Sequence, residues 1–323
     1  MFDRLLAGVV AVPFLLGSAV GSSDGGQVEL TFRDPEIVES SGLVVRDGLV
    51  LTVNDSGDTG RVFAVDPATG ETVGVTHWSE ESFDVEALAP GPDDTVWVGD
   101  IGDNDEARDS ISVTRVPVGR GERTVDEDSY ELVYPHGAAN AETLLAHPGT
   151  GRLYVATKDP FGGELFEAPE VLSADEPNRL RPLGHVLSIA TDGAFFPDGK
   201  HLVLRDYSRA VVYTFPGLVE IASFPLPGQQ QGEGIAVEAD GTVHICTEGQ
   251  YTDVLQVPLP EDVRRAVAGS GPSPAASPGG THSREGEELP DVLDTERPAW
   301  PWLLTGLAGL AAIGVLIRSL RRR

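Results

Sequence analysis

The chain has 323 residues, 40% of them apolar, enough to bury the core of one large domain with appendages. Its formal charge of −28 opposes contact with phosphate backbones and sets nucleic acid aside as a partner. One cysteine, Cys246 in the apolar run VHIC, excludes an intrachain disulfide and reads as a buried thiol.

Residues 1–21 carry a weakly charged start, an apolar run and small residues at Gly17, Ala19 and Gly21, the layout of a secretory signal peptide; an uncleaved anchor is the alternative. Either way the domain that follows is expected to be exported. After a polar spacer, VELTF (28–32) alternates as a strand does and stands before the first of five similar stretches.

These stretches are SSGLVVRDGLVLTVND, DVEALAPGPDDTVWVGD, AETLLAHPGTGRLYVATKD, TDGAFFPDGKHLVLRD and GEGIAVEADGTVHICTE. In each, a polar residue precedes an apolar run, a Pro/Gly/Asp turn follows, and a second apolar run ends in another polar residue. With Ser41, Glu86, Glu142, Asp192 and Glu233 taken as equivalent, the spacings are 45, 56, 50 and 41 residues. Propeller blades of four strands repeat at about 40–50 residues, so the expected fold is all-β, a five-bladed β-propeller over 28–260. Four stretches supply four strands each, and the last supplies GIAVE, VHICT and VLQVPLP. VELTF fills the vacancy and closes the ring. A six-bladed ring is the alternative if one of the longer spacings hides a degenerate blade, the 56-residue interval being the first place to look, although the acidic loop IGDNDEARDS accounts for its excess.

From about Pro260 the composition changes. EDVRRAVAGS reads as a short helix, and 261–298 as a whole as a disordered Pro, Gly, Ser and acidic stalk. Residues 299–317 are uncharged and just long enough for a transmembrane helix, with Trp300 and Trp302 at one boundary and the basic residues of 318–323 at the other. The expected placement is a single-pass protein of the cell membrane with its propeller extracellular and its C-terminus cytoplasmic. The upstream LPDVL lacks the Thr-Gly that a sortase cuts, which favours a permanent anchor.

Recognisable hydrolase, kinase and zinc motifs are missing from the sequence, and its seven histidines are scattered. NDSGDTG and DIGDND lack the sixth-position glycine and the distal glutamate of calcium loops and read as Asx turns. The repeat itself points to chemistry. An innermost blade strand starts on the face where the second strand ends, so ten side chains are expected at one mouth of the channel. Ser41, Glu86, Glu142, Asp192 and Glu233 form the inner set, and Asn54, Asp100, Lys158, Arg205 and Glu248 the outer one. Carboxylates so placed repel unless a cation, protons, or Lys158 and Arg205 compensate. Hard oxygen donors suit calcium or magnesium; capping of strand-start N–H groups is the competing role. The candidate metal ligands are Glu86, Asp100, Asp192, Glu233 and Glu248, and the candidate ligand-binding residues are Ser41, Asn54, Lys158 and Arg205.

The motifs S-S-G-L at Ser40, N-D-S at Asn54, D-V-E-A-L at Asp84, G-E-G-I-A at Gly232 and T-E-G at Thr247 carry a resemblance. The chain resembles the secreted, WD-repeat-like propellers of the SdiA-regulated and esterase-like phytase families over 28–260. The resemblance implies an extracytoplasmic propeller with acidic residues and calcium at its mouth, Glu86, Glu233 and Glu248 being the candidate ligands. The chain departs from that pattern at Ala87, where those families carry glycine, and at the basic Lys158 and Arg205.

Two functions remain open on the sequence. One is a surface module that binds an extracellular ligand or protein at the polar mouth. The other is a metal-dependent phosphoesterase or lactone hydrolase with Glu142 as the base. The lack of a dedicated nucleophile or base–orienter pair favours the first.

Overall fold

A computed structural model of the chain describes residues 25–268 apart from 56 and 79–81. The leader 1–21, most of the stalk, the apolar segment 299–317 and the basic end lie outside the described residues. Among the described residues, no helix is long and apolar enough to cross a membrane.

Five antiparallel sheets form five blades. The first holds β2 (Ser40–Arg46), β3 (Leu49–Asn54), β4 (Arg61–Val65) and β5 (Thr72–Trp78). The second holds β6 (Val85–Pro90), β7 (Thr95–Asp100), β8 (Ile111–Pro117) and β10 (Ser129–Val133). The third holds β11 (Ala141–Ala146), β12 (Leu153–Thr157), β13 (Gly163–Glu167) and β15 (Arg181–Val186). The fourth holds β16 (Asp192–Phe195), β17 (His201–Arg205), β18 (Arg209–Thr214) and β19 (Glu220–Pro225). In the fifth, β20 (Gly232–Val237), β21 (Val243–Thr247) and β22 (Asp253–Val257) are completed by β1 (Gln27–Thr31), which pairs antiparallel with β22. The N-terminal strand therefore closes the ring.

Strand composition follows position. Strands near the axis have neighbours on both faces and are buried along almost their whole length, with mainly apolar side chains, as in LVLTVN of β3 and LYVAT of β12. Outer strands such as β5, TVGVTHW, are buried only at alternate residues. Five apolar clusters fill the seams, each built from two adjacent blades: Val44, Leu51, Leu88 and Val98 between the first and second, for example, and Phe32, Leu43, Phe63 and Val254 between the fifth and first. The inner strands β2, β6, β11, β16 and β20 touch in that order around the ring. They approach closely enough that a Cβ on Gly42 would sit 2.3 Å from the Leu88 nitrogen, and one on Gly234 2.8 Å from the Ser41 carbonyl oxygen. These two positions have no room for a side chain where the blades meet.

Two short strands go beyond the sequence expectation. β9 (Gly121–Val125) leaves the second blade to pair in parallel with β5, and β14 (Asn178–Arg179) leaves the third to pair in parallel with β10. Each covers the outer edge of the preceding blade, which would otherwise present unpaired backbone. The long 56-residue interval thus contains an acidic loop and β9, with no sixth blade. Helix α1 (Glu261–Ala268) buries Val263 against the seam of the fourth and fifth blades, with Glu261 and Asp262 in its first turn. The folded body therefore includes the first eight residues of the segment read as stalk.

Candidate metal and ligand site at the channel mouth

The register of the inner hairpins decides which side chains meet. Four inner strands begin with an irregularity: between Ser40 and Leu43, Val85 and Ala87, Ala141 and Thr143, and Gly232 and Ile235. The extra residues include Ser41, Glu86, Glu142 and Glu233. A bulge leaves its residue outside the ladder and re-aims the side chain. The fourth blade runs in register from Asp192↔Arg205 to Phe195↔Leu202. Asp192 therefore holds the place of Ser40, Val85, Ala141 and Gly232, one position before the bulge.

The same register separates the outer set. Asn54, Asp100 and Arg205 are ladder partners of the first inner-strand residue, and their counterparts in the other blades are Thr157 and Thr247. Lys158 and Glu248 lie one residue further on, and Asp55 is their counterpart. The N–H groups of Asp55, Lys158 and Glu248 donate to the carbonyls of Glu39, Asn140 and Gln231, each two residues before a bulged residue. A one-residue step along a strand changes the face of a side chain.

Ladder partners clamp the chain as it enters the inner strand. Asn54 Oδ1 accepts the Val38 and Glu39 N–H groups at 2.9 and 3.1 Å. The Asp100 carboxylate accepts those of Phe83 and Asp84 at 2.7 and 3.1 Å, and Arg108 binds it at 2.7 Å. Asp192 and Arg205 are fully buried. Asp192 Oδ2 accepts the Ile235 N–H of the next blade at 2.8 Å, and burial pushes its carboxyl well above the usual range. The Arg205 guanidinium donates to the Gln229 side chain and the Gly234 and Cys246 carbonyls at 3.1 to 3.3 Å.

The residues that do come together are Ser41, Asp55, Asp84, Glu86, Glu142, Lys158, Tyr207, Glu233 and Glu248. One carboxylate oxygen from each of Asp55, Asp84 and Glu86 lies within 4.8 Å of the other two. Ser41 Oγ is 3.3 Å from Glu86 Oε2. Lys158 Nζ binds Glu142 Oε1 and stands 5.1 Å from the centre of the Tyr207 ring. Glu248 is held by the Gln231 amide. Asp55 and Asp84 were not among the sequence candidates. The alternation Asp84-x-Glu86, which puts both on one side of a strand, could have flagged Asp84; Asp55 depends on the register.

Burial raises Glu86, and the Glu142 charge adds to the effect. Burial also raises Glu142, against the pull of Lys158. Glu233 is pushed up to about 8, by burial first and the Glu142 charge second. For Lys158, burial acts downward, but the Glu142 charge and hydrogen bond leave it above its ordinary value. Glu142 Oε2 and Glu233 Oε2 are buried without a hydrogen-bond partner among the described residues. This group is short of positive charge and of donors. The donors are all oxygen, and ion–oxygen distances of about 2.3–2.6 Å place two ligands of one calcium up to about 5 Å apart. The cluster can hold a metal ion.

No family profile and no curated protein matches the sequence. Solved structures with a similar fold include a glucose dehydrogenase, at 14% identity and a TM-score of 0.45 over 73% of this chain and 99% of that one. A gluconolactonase of Xanthomonas campestris matches at 13% identity and a TM-score of 0.45, over 74% and 92%. A nidogen/laminin complex matches at 16% identity and a TM-score of 0.41, over 65% and 73%. At such scores these likenesses assign neither an activity nor a ligand to the chain.

Proposed function

We propose that the protein is a ligand-binding propeller whose mouth holds a divalent cation, calcium, between Asp55, Asp84 and Glu86, with Glu142, Glu233 and Glu248 beside it. The observation that carries this reading is the three converging carboxylates together with two buried carboxylate oxygens that lack partners. Calcium takes six to eight oxygens and leaves room for those of a ligand. In the same proposal the leader and the apolar segment 299–317 display the propeller outside the cell.

The contact of Glu142 with Lys158, and of Lys158 with Tyr207, favours a second reading, hydrolysis of a lactone or phosphoester. When bound, the cation would polarise the ester oxygen and acidify water. Glu142 would then accept the proton of the attacking water, and Lys158 would stabilise the developing oxyanion. Calorimetric titration of the metal-stripped protein with calcium tests the first reading, which the absence of heat would sink. A lactonase and phosphoesterase screen with and without calcium tests the second, and calcium-dependent turnover abolished by E142Q would establish it.

A further inference from the structure

Four aromatic side chains are conspicuously exposed among the described residues: Phe83, Phe161, Tyr207 and Tyr251. Each belongs to a different blade, and all four occupy loops on the acidic face. Phe83 immediately precedes Asp84, and its N–H is bound by Asp100 at the end of β7. Phe161 lies in the loop that begins with Lys158, Tyr207 in the loop after Arg205, and Tyr251 in the loop that begins with Glu248. The other large apolar residues in contact with solvent, Val28, Val171 and Val219, lie outside these loops.

An exposed aromatic ring is ordinary when single; four of them in loops of four blades on the same acidic face are not. Phe161 is 99% exposed, so folding gains almost nothing from its burial. Two of the rings already face cations of the chain itself, Arg108 at 5.5 Å from Phe83 and Lys158 at 5.1 Å from Tyr207. Phe83 also lines a cleft with Asp55, which joins the rim to the carboxylate cluster.

We propose that this face docks a basic, arginine- or lysine-rich segment of a partner protein, its cationic heads on the rim rings and its charge balanced by the mouth carboxylates. Charge complementarity selects that occupant. Asp55, Asp84, Glu86, Glu142, Glu233 and Glu248 outnumber the nearby cations, which are committed: Lys158 to Glu142, Arg108 to Asp100, and Arg205 in the interior. The partnerless oxygens of Glu142 and Glu233, residues only 5% and 3% exposed, leave hydrogen-bond capacity inside the opening. Aromatic faces attract guanidinium and ammonium groups, and aromatic residues are enriched at protein contacts. A neutral polysaccharide would use the rings but gain nothing from the charge.

This inference rests on the mouth being a binding surface, and it does not require the cation. A bound calcium and a basic segment would draw on the ionised forms of the same carboxylates, so calcium should weaken the docking. The test is fluorescence anisotropy of a labelled nona-arginine peptide titrated with the full-length protein at physiological salt, in chelator and then in calcium. Saturable binding should weaken about tenfold in the F161A/Y251A variant and recover in F161W/Y251F, while V171A/V219A binds as wild type. Both ring positions are exposed, so the melting temperature checks that the variants stay folded. Failure to bind the peptide, equal binding by wild type and F161A/Y251A, or ring-dependent capture of a neutral glucan in place of the peptide would each overturn the proposal. Calcium calorimetry on the same samples separates the two readings: no calcium heat with ring-dependent peptide binding removes the cation and leaves the docking, and the converse removes only the docking.

Discussion

Ser41 and Glu86 join the first two blades across the channel mouth. The Ser41 hydroxyl is 2.8 Å from the Glu86 carbonyl oxygen and 3.3 Å from Glu86 Oε2. Both residues are buried. Ser41→Ala leaves the buried Glu86 carbonyl without this donor, at a cost of about 1–3 kcal/mol. Denaturant unfolding of wild type and S41A should show that loss in the midpoint with an unchanged slope. The calcium response should survive, because no carboxylate has been removed.

The mouth carboxylates should couple calcium to stability. A cation that binds only the folded state adds about 2.7 kcal/mol at a hundred times its dissociation constant. Thermal melts of the stripped protein should therefore rise with added calcium. In E86Q/E233Q the amides keep the shape of the protonated acids but cannot ionise. The variant should lose most of the calcium response and, above about pH 8, melt higher than wild type without metal. Identical behaviour of the two proteins would leave these glutamates as structural groups.

Ring closure by β1 rests on few residues. Phe32 is fully buried in the seam of the fifth and first blades, its N–H donates to the Thr252 carbonyl at 2.9 Å, and Thr31 Oγ1 bonds Asp253. Truncating such a ring costs about 3–5 kcal/mol. Phe32→Ala should lower the single unfolding transition as a whole, because opening one seam exposes edges on both sides of it. Early fraying of the N-terminus with an unchanged main transition would show that β1 is an accessory strand.

The repeat reveals the architecture because blade spacing and alternation are properties of the chain. The missing strand of the fifth blade could be traced to VELTF by the same logic. β9 is not legible: GERTV is polar and exposed along most of its length and is held by backbone pairing with β5. The site was legible only in part. By position in the repeat, Asn54 corresponds to Lys158, whereas the ladder equates Asp55 with Lys158. That single-residue step hides Asp55 among turn residues. It also makes Asn54 and Asp100 look like mouth residues when they serve as clamps. Likewise, nothing in TDGAFF announces that β16 lacks the bulge of the other four inner strands, and this is what keeps Asp192 in the interior.

The raised carboxyls give the metal-free protein a distinctive pH dependence. Glu233 moves from an ordinary 4.5 to about 8, and Glu86 and Glu142 move the same way. Between those limits the folded state binds more protons than the unfolded one, so stability falls as pH rises. The contribution is complete below about pH 4.5, where both states are protonated, and is lost as pH passes through the folded-state values. Ordinary paired carboxylates act in the opposite sense, gaining stability with pH. Calcium requires the ionised forms, so its binding releases protons and its affinity climbs over the same range. Melting curves in chelator from about pH 5 to 9 should decline through that window, the decline should shrink in E86Q/E233Q, and saturating calcium should abolish it. Melting temperatures that rise with pH in chelator would show that Lys158 and the backbone already hold these carboxylates ionised, and that no cation is needed at the mouth.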